Sequence, residues 1–299
     1  MPVRTGKQYI DGLKTRSPEV WIGGERVADV TTHPSLSRSM EQIAHLLDMQ
    51  HDPRYAEALT YESPKTSDPV GASFMPAADR AGLEKRSECY RLWANETFGM
   101  MGRSPDFMNV VLLSFAEGRD VFARGGERFA ENMVEYYEYV RENDLFLTHA
   151  LVQPPTDRSK ASADQAEEFL HVGAVRETSD GIVVRGARML ATLGPVADEV
   201  LVYNLPLLQP QDTKHALAFA LPIDAPGLRQ ICREPFDSGG RSPFDHPLGV
   251  NFEEPDAMMI FDDVLVPWDR VFVHDDVAIS NAVFPDTNLR SYTAHQTAV

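Results

Sequence analysis

Apolar positions in the first half of the chain recur at helical spacing. Between Ala77 and Met101, the residues Leu83, Tyr90, Trp93, Thr97 and Met101 fall three, four or seven positions apart, which gathers them on one face of a helix. Phe129, Met133, Tyr136 and Val140 repeat the pattern. Both stripes read as core-facing surfaces, because this spacing is how ordinary helices bury one side. The pattern changes after Leu151-Val152-Gln153-Pro154-Pro155, since two prolines in a row cannot continue a helix and the later apolar runs are short and bounded by turn residues. Strands are expected at Phe169 to Arg176, Ile182 to Leu190, Glu199 to Leu205, His215 to Leu221 and Ala257 to Phe261. The first two join through Thr178-Ser179-Asp180-Gly181, whose Asp-Gly favours a hairpin. Helices followed by strands, without regular alternation, give an α+β class.

Two stretches fit neither pattern. The loop from Pro235 to Pro247, with Gly239-Gly240 and three prolines, is too long for a simple hairpin connection and is either a lid or a solvated excursion. From Asn281 onward strand character is lost again. The final Ser291 to Val299 reads as the opening turns of a helix, an ending expected of a sequence cut short.

Composition narrows the function classes. The chain has 299 residues, with 45 acidic against 28 basic side chains and a formal net charge of −17. That balance removes the attraction on which nucleic-acid and anionic-membrane binding depend, so neither partner is expected. The first residues lack the apolar run of a signal peptide, and no segment approaches the ~20 apolar residues of a membrane span, so a soluble cytoplasmic protein is expected. Cys89 and Cys232 stand far apart without C-x-x-C spacing and read as small buried residues. The nine histidines form no i, i+4 pair and no H-E-x-x-H string, so a metal cofactor is not indicated. Rossmann, P-loop and nucleophile-elbow strings are also absent.

A series of longer strings does carry information. They are Arg4-Thr5-Gly6 with Tyr9 and Leu13, Val20-Trp21-Ile22, Gly24 through Pro34, Gly102 through Asn109, Leu147-Thr148-His149-Ala150, Gly186 through Thr192 and Phe261 through Trp268. In number, order and spacing they resemble the oxygenase component of 4-hydroxyphenylacetate 3-monooxygenase and its relatives, the two-component flavin-dependent phenol hydroxylases. The resemblance implies an acyl-CoA-dehydrogenase-like fold: a helical N-terminal domain over residues 1–148, a central β domain over 149–278, and the start of a C-terminal helical domain over 279–299. The family's chains run well past His295-Gln296, so most of the C-terminal helical bundle is expected to be missing. The bundle also builds the family's dimer or tetramer, so a homo-oligomer is expected of the full-length chain.

The resemblance further implies the chemistry. An NAD(P)H-dependent reductase supplies FADH2, which reacts with O2 to give a C4a-hydroperoxide with an electrophilic distal oxygen. A phenol becomes electron-rich when ionised, yet its pKa is about 10. Favouring phenolate near neutrality takes roughly 3 to 4 kcal/mol, within reach of a desolvated Arg and an imidazole. The matching positions are Arg103 and His149, read as catalytic and substrate-binding. Phe107, Asn204 and Leu205 are the further substrate-binding candidates. Phe107 stands where many relatives carry Tyr, and Asn204-Leu205 replaces the small hydroxyl residues expected with 4-hydroxyphenylacetate, so that phenol is a first guess. The flavin contacts map onto His149, Ala150, Leu151, Pro155, Thr156, Asp157, Arg158 and Thr192, where backbone N–H groups and a hydroxyl suit the polar edge of an isoalloxazine and Arg158 suits pyrophosphate. Asp262-Asp263 reads as a solvated strand end or turn. Two other readings stand beside this one: a non-catalytic fragment, and a 4-hydroxybutyryl-CoA dehydratase-like enzyme, whose iron–sulfur cluster needs more thiolates than two cysteines supply.

Overall fold

The computed structural model describes residues 3–205, 207–237 and 241–299. The helices are α1 (Gly6–Lys14), α2 (Ser37–Met49), α3 (Ala56–Leu59), α4 (Arg80–Glu96), α5 (Pro105–Glu117), α6 (Arg119–Ala123), α7 (Glu127–Asn143), α8 (Pro247–Asn251), α9 (Val277–Asp286) and α10 (Leu289–Ala298). Their ends follow from local chemistry. Thr5 and Gln8 form a reciprocal capping box on α1, and Asp79 accepts from Gly82 N at the start of α4. Pro105 occupies the first turn of α5, where its missing N–H costs nothing.

The strands are β1 (Glu19–Ile22), β2 (Glu25–Arg26), β3 (Thr60–Glu62), β4 (Pro69–Gly71), β5 (Leu147–Ala150), β6 (Gly173–Glu177), β7 (Gly181–Thr192), β8 (Glu199–Val202), β9 (Ala218–Pro222), β10 (Leu228–Cys232), β11 (Asp256–Pro267) and β12 (Val271–Val273). They form a six-stranded sheet ordered β2-β1-β10-β11-β7-β6, a four-stranded sheet ordered β12-β9-β8-β5, and the β3-β4 ribbon. Most pairs are antiparallel, but β1 runs parallel to β10 and β5 parallel to β8. One apolar cluster fills the space about the sheets, and a second joins α5 and α7 to β8, β9 and β12. The mixture is α+β, as expected.

Several elements differ from the sequence reading. The expected Ala77–Met101 helix is α4, shorter at both ends; Tyr90, Trp93 and Thr97 are buried, but Leu83, on the same face near the start of the helix, is 44% exposed. The Phe169 strand begins later, at Gly173, and His171 makes only an isolated bridge to Ala187. The strand expected to reach Leu205 stops at Val202, and the one from His215 starts at Ala218 after a short 3-10 turn. Asp262-Asp263 is not a strand end: β11 continues to Pro267 through a bulge there, with Asp263 at φ 52° and paired to Arg185. The hairpin at Thr178–Gly181 forms as expected. Of the Pro235–Pro247 loop, Gly239-Gly240 lies outside the described residues, and the loop runs into α8. The sheets draw on both sides of position 148, since β1 and β2 join the large sheet and β5 itself spans the point.

Candidate active site

Arg103 sits in the loop that leads into α5, and His149 lies on β5. The Arg103 Nε–H donates to His149 Nε2 at 2.8 Å. Phe107, in the first turn of α5, lies under the guanidinium with its ring centroid 4.0 Å from Arg103 Cζ and 5.8 Å from the imidazole. The Arg103 loop is anchored by Glu254, whose Oε1 accepts from Arg103 N at 2.6 Å. Burial pushes the Glu254 carboxyl above its usual range, against the pull of the Gly102 and Arg103 N–H groups. The Tyr203 hydroxyl is likewise pushed up by burial, with Arg103 close enough to oppose the shift. Three of the five residues expected around the phenol, Arg103, Phe107 and His149, thus meet, although 46 positions separate Arg103 from His149.

His149 is buried, and burial first, then the charge of Arg103, lowers its pKa to about 3. The imidazole is therefore neutral at pH 7. Because Nε2 accepts from Arg103, the ring proton resides on Nδ1, which is buried and without a hydrogen-bond partner. A buried donor left over by the fold suits a ligand acceptor.

The strand β5 leads out into a cleft of about 510 Å³. Its walls include Leu151, Thr156, Asp157, Arg158 and Leu205 from the expected set, with His171 and Arg188 besides. Pro155 is exposed and Ala150 fully buried, and neither lines the cleft. Thr192 also stands apart, its hydroxyl donating to Asp256 Oδ1 at 2.7 Å while its carbonyl accepts from Thr148 Oγ1. The Asn204 amide is engaged within the fold, donating to His215 O, Leu217 O and Ser280 Oγ and accepting from Arg188. The cleft, with the Thr156 hydroxyl and the Arg158 guanidinium on its walls, has donor chemistry that suits a flavin nucleotide, while Arg103, Phe107 and His149 are not among its lining residues.

Sequence reasoning missed Glu254, Tyr203, His171 and Arg188. His171 is held between Thr156 Oγ1 at 2.9 Å and Ser162 Oγ at 2.8 Å and so shapes the 156–162 loop; burial foremost lowers its pKa to about 4. None of these residues shows a distinctive spacing. The cysteines lie buried in different apolar clusters, and burial raises both thiols, Cys232 to about 12. Glu177, His274 and Asp275 bring ligand atoms within 4.8 Å of one another, but none of them lines the cleft.

Residues 5–273 match the family described as 4-hydroxyphenylacetate 3-hydroxylase N terminal. The chain belongs to this family. Among its relatives, the 4-hydroxyphenylacetate 3-monooxygenase oxygenase component of Thermus thermophilus is 48% identical over 98% of this chain and 59% of its own length. The protein of the same description from a Geobacillus species is 42% identical over 99% of this chain and 60% of its own. The crystal structure of an oxygenase component of 4-hydroxyphenylacetate 3-monooxygenase complexed with FAD and 4-hydroxyphenylacetate superposes with a TM-score of 0.92 at 48% identity, over 98% of this chain and 60% of that one. The fold is that family's acyl-CoA-dehydrogenase-like fold, and the chain spans about 60% of the length of the relatives it matches.

Proposed function

We propose that the site hydroxylates a phenol ortho to its hydroxyl, as the oxygenase component of a two-component flavin-dependent monooxygenase. A separate NAD(P)H-dependent reductase would supply the reduced FAD, and O2 would be the co-substrate. The observation that supports this reading most directly is the Arg103–His149 pair. When bound, reduced flavin with O2 supplies an electrophilic oxygen. The protein's task is to present an electron-rich ring to it. Arg103 places a positive charge whose direct partners are His149, the Gly102 carbonyl and the face of Phe107, so its field remains available to a phenolate oxygen. The neutral His149 offers its Nδ1–H to an acceptor while Arg103 fixes the ring's tautomer. His149 and Leu151 would face the flavin from the end of β5, and Thr156 and Arg158 would hold its polar parts from the loop beyond. Phe107 and Leu205 would bound the aromatic substrate, with 4-hydroxyphenylacetate as the first phenol to try.

The test is to titrate the chain anaerobically with reduced FAD, mix it with O2 and 4-hydroxyphenylacetate or 4-nitrophenol, and assay for the catechol. Catechol formation is expected, and Arg103→Ala should lower its rate about a hundredfold, the usual cost of removing a charge-stabilising donor, while flavin affinity stays within about twofold. Bound flavin without catechol, or catechol formed as fast by R103A, would refute the reading.

A further inference from the structure

Arg188 lies on β7, only 1% exposed, and its side chain lines the cleft beyond His149. Its Nη1 donates to Leu151 O at 3.0 Å and its Nη2 to Asn204 Oδ1, while Nε is buried without a partner. Both acceptors are neutral. Of the other buried arginines, Arg141 pairs with Glu142, while Arg86 donates to Met75 O at 3.4 Å and lies over the Tyr292 ring; the part-buried Arg4 pairs with Asp198. The carboxylates on the cleft wall are already engaged elsewhere. Asp157 accepts from Ser159 N and Oγ and pairs with Lys160, and Asp212 accepts from Ala163 N and Gln209 N. A guanidinium held out of water with no counter-charge is costly, and a neutral side chain could serve the two carbonyl acceptors as well. Burial lowers the Arg188 pKa to about 9, so the group still carries its charge at neutral pH.

The surroundings are built for an anion. Arg158 and Lys160 stand on the same cleft wall, with the hydroxyls of Thr156 and Ser159 among them, in a chain whose net charge is −17. Gly186, at φ +120°, lets the backbone of His171, a cleft-lining residue, approach β7 so closely that a Cβ there would lie 2.5 Å from His171 O. We infer that Arg188 is the buried cation of an oxyanion subsite, taking either the carboxylate of an acidic phenol or a phosphate of the flavin nucleotide. The inference rests on the proposed function only for the source of that oxyanion. Because the same guanidinium holds Leu151 O and Asn204, an anion bound there would also fix the β5 exit against the end of β8.

The experiment compares matched anionic and neutral probes on the wild-type chain and on Arg188→Gln, by calorimetric titration. One pair is 4-hydroxyphenylacetate against 4-hydroxyphenylethanol; the other is FMN against riboflavin. The wild type should prefer the anionic member of one pair by about tenfold or more, as charge-assisted bonds to Arg do, and R188Q should erase that preference while leaving the neutral member's affinity in place. Loss in the first pair assigns the subsite to the substrate carboxylate, and loss in the second to the flavin phosphate. Inorganic phosphate and acetate, followed by the thermal unfolding midpoint, separate this inference from the proposed function. If the chain binds neither phenol nor flavin, a midpoint rise with either anion that R188Q abolishes still upholds the subsite. No preference in either pair and no midpoint rise in the wild type overturns it. So does a variant that retains the preference, or one that weakens anionic and neutral probes equally, which is the behaviour of a structural brace. Should R188Q fail to fold, Arg188→Lys keeps the charge without the planar fork and is expected to retain a reduced preference; an undiminished preference overturns the assignment to a guanidinium.

Discussion

Arg4 and Arg103 both hold a guanidinium close to β5, and the fold answers them differently. Arg4 reaches both oxygens of Asp198, at 3.3 and 2.6 Å, and donates Nε–H to Asp144 O. Asp198 also takes Phe146 N at 2.8 Å and lies 3.5 Å from Arg16 Nη2, so the N-terminus, the entry to β5 and the start of β8 are clasped together. Arg103 meets an imidazole, a carbonyl and an aromatic face, and its nearest carboxylate, Glu254, is bonded to its backbone N–H instead. A charge answered by an opposite charge is spent on the fold. One answered by neutral groups keeps its field for a ligand.

The largest effect that bears on this contrast is at Asp198. Asp198→Asn leaves Arg4 without its counter-charge in a nearly closed site, and removing one partner of such a pair costs about 3–5 kcal/mol. Since the Arg4 side chain is 15% exposed, the lower end of that range is expected in urea denaturation. Arg103→Ala should cost only about 1 kcal/mol in the same measurement, because no ion pair is broken. If the two losses were equal, the division between a structural and a functional charge would fail.

Why sequence reasoning reached some of this and not the rest is visible in particular residues. Tyr90 and Trp93 announce α4 because a helix with one buried face must repeat its apolar positions. β10 escapes the same reasoning: it buries Leu228, Gln230 and Cys232 and turns Ile231 outward at 44% exposure, so its polarity runs against its burial. β1 is four residues long and takes its place from a parallel partner more than 200 positions away. At the site, family strings led to Arg103, Phe107 and His149, but that Arg103 would donate to the imidazole is a property of packing. Glu254 was not singled out, and Arg188 lay inside the Gly186–Thr192 string with no role attached, since a charged residue in a strand or beside a proline looks the same whether it is solvated or buried.

A second, smaller effect sharpens the contrast through pH. The His149 pKa is about 3 in the fold against about 6.5 in an unfolded chain. Above pH 6.5 the imidazole is neutral in both states and contributes nothing. Below it the unfolded chain takes up a proton that the fold refuses, so stability falls as pH drops toward 3, by up to ~1.4 kcal/mol per pH unit. His171, lowered to about 4, adds a loss of the same sign over a narrower window. Urea midpoints between pH 7 and 4 should therefore fall less steeply in His149→Gln. An identical slope would show that the imidazole is not shielded as described. Arg103→Met should raise the His149 pKa, measured by NMR, because the arginine's charge is the second cause of its depression.

The smallest effect is at Phe107, the residue that decides how far the open side of the contrast extends. Its ring covers Arg103 at 4.0 Å and is only partly buried, packing at the edge of the cluster that contains α5. Phe107→Tyr adds a hydroxyl at the ring's far edge without changing the helix. If that edge faces the substrate, stability should stay within about 0.5 kcal/mol, as for substitutions away from a packed core. The new hydroxyl can then donate to a phenol or phenolate, and a hydrogen bond worth about 1 kcal/mol should tighten 4-nitrophenol roughly fivefold in an absorbance titration. If instead the edge is closed against the core, the hydroxyl is buried unpaired, the variant loses about 1–3 kcal/mol, and nitrophenol affinity does not rise. That result would place Phe107 with Arg4 among the groups the fold has used up, and leave Arg103 and His149 alone to meet the phenol oxygen.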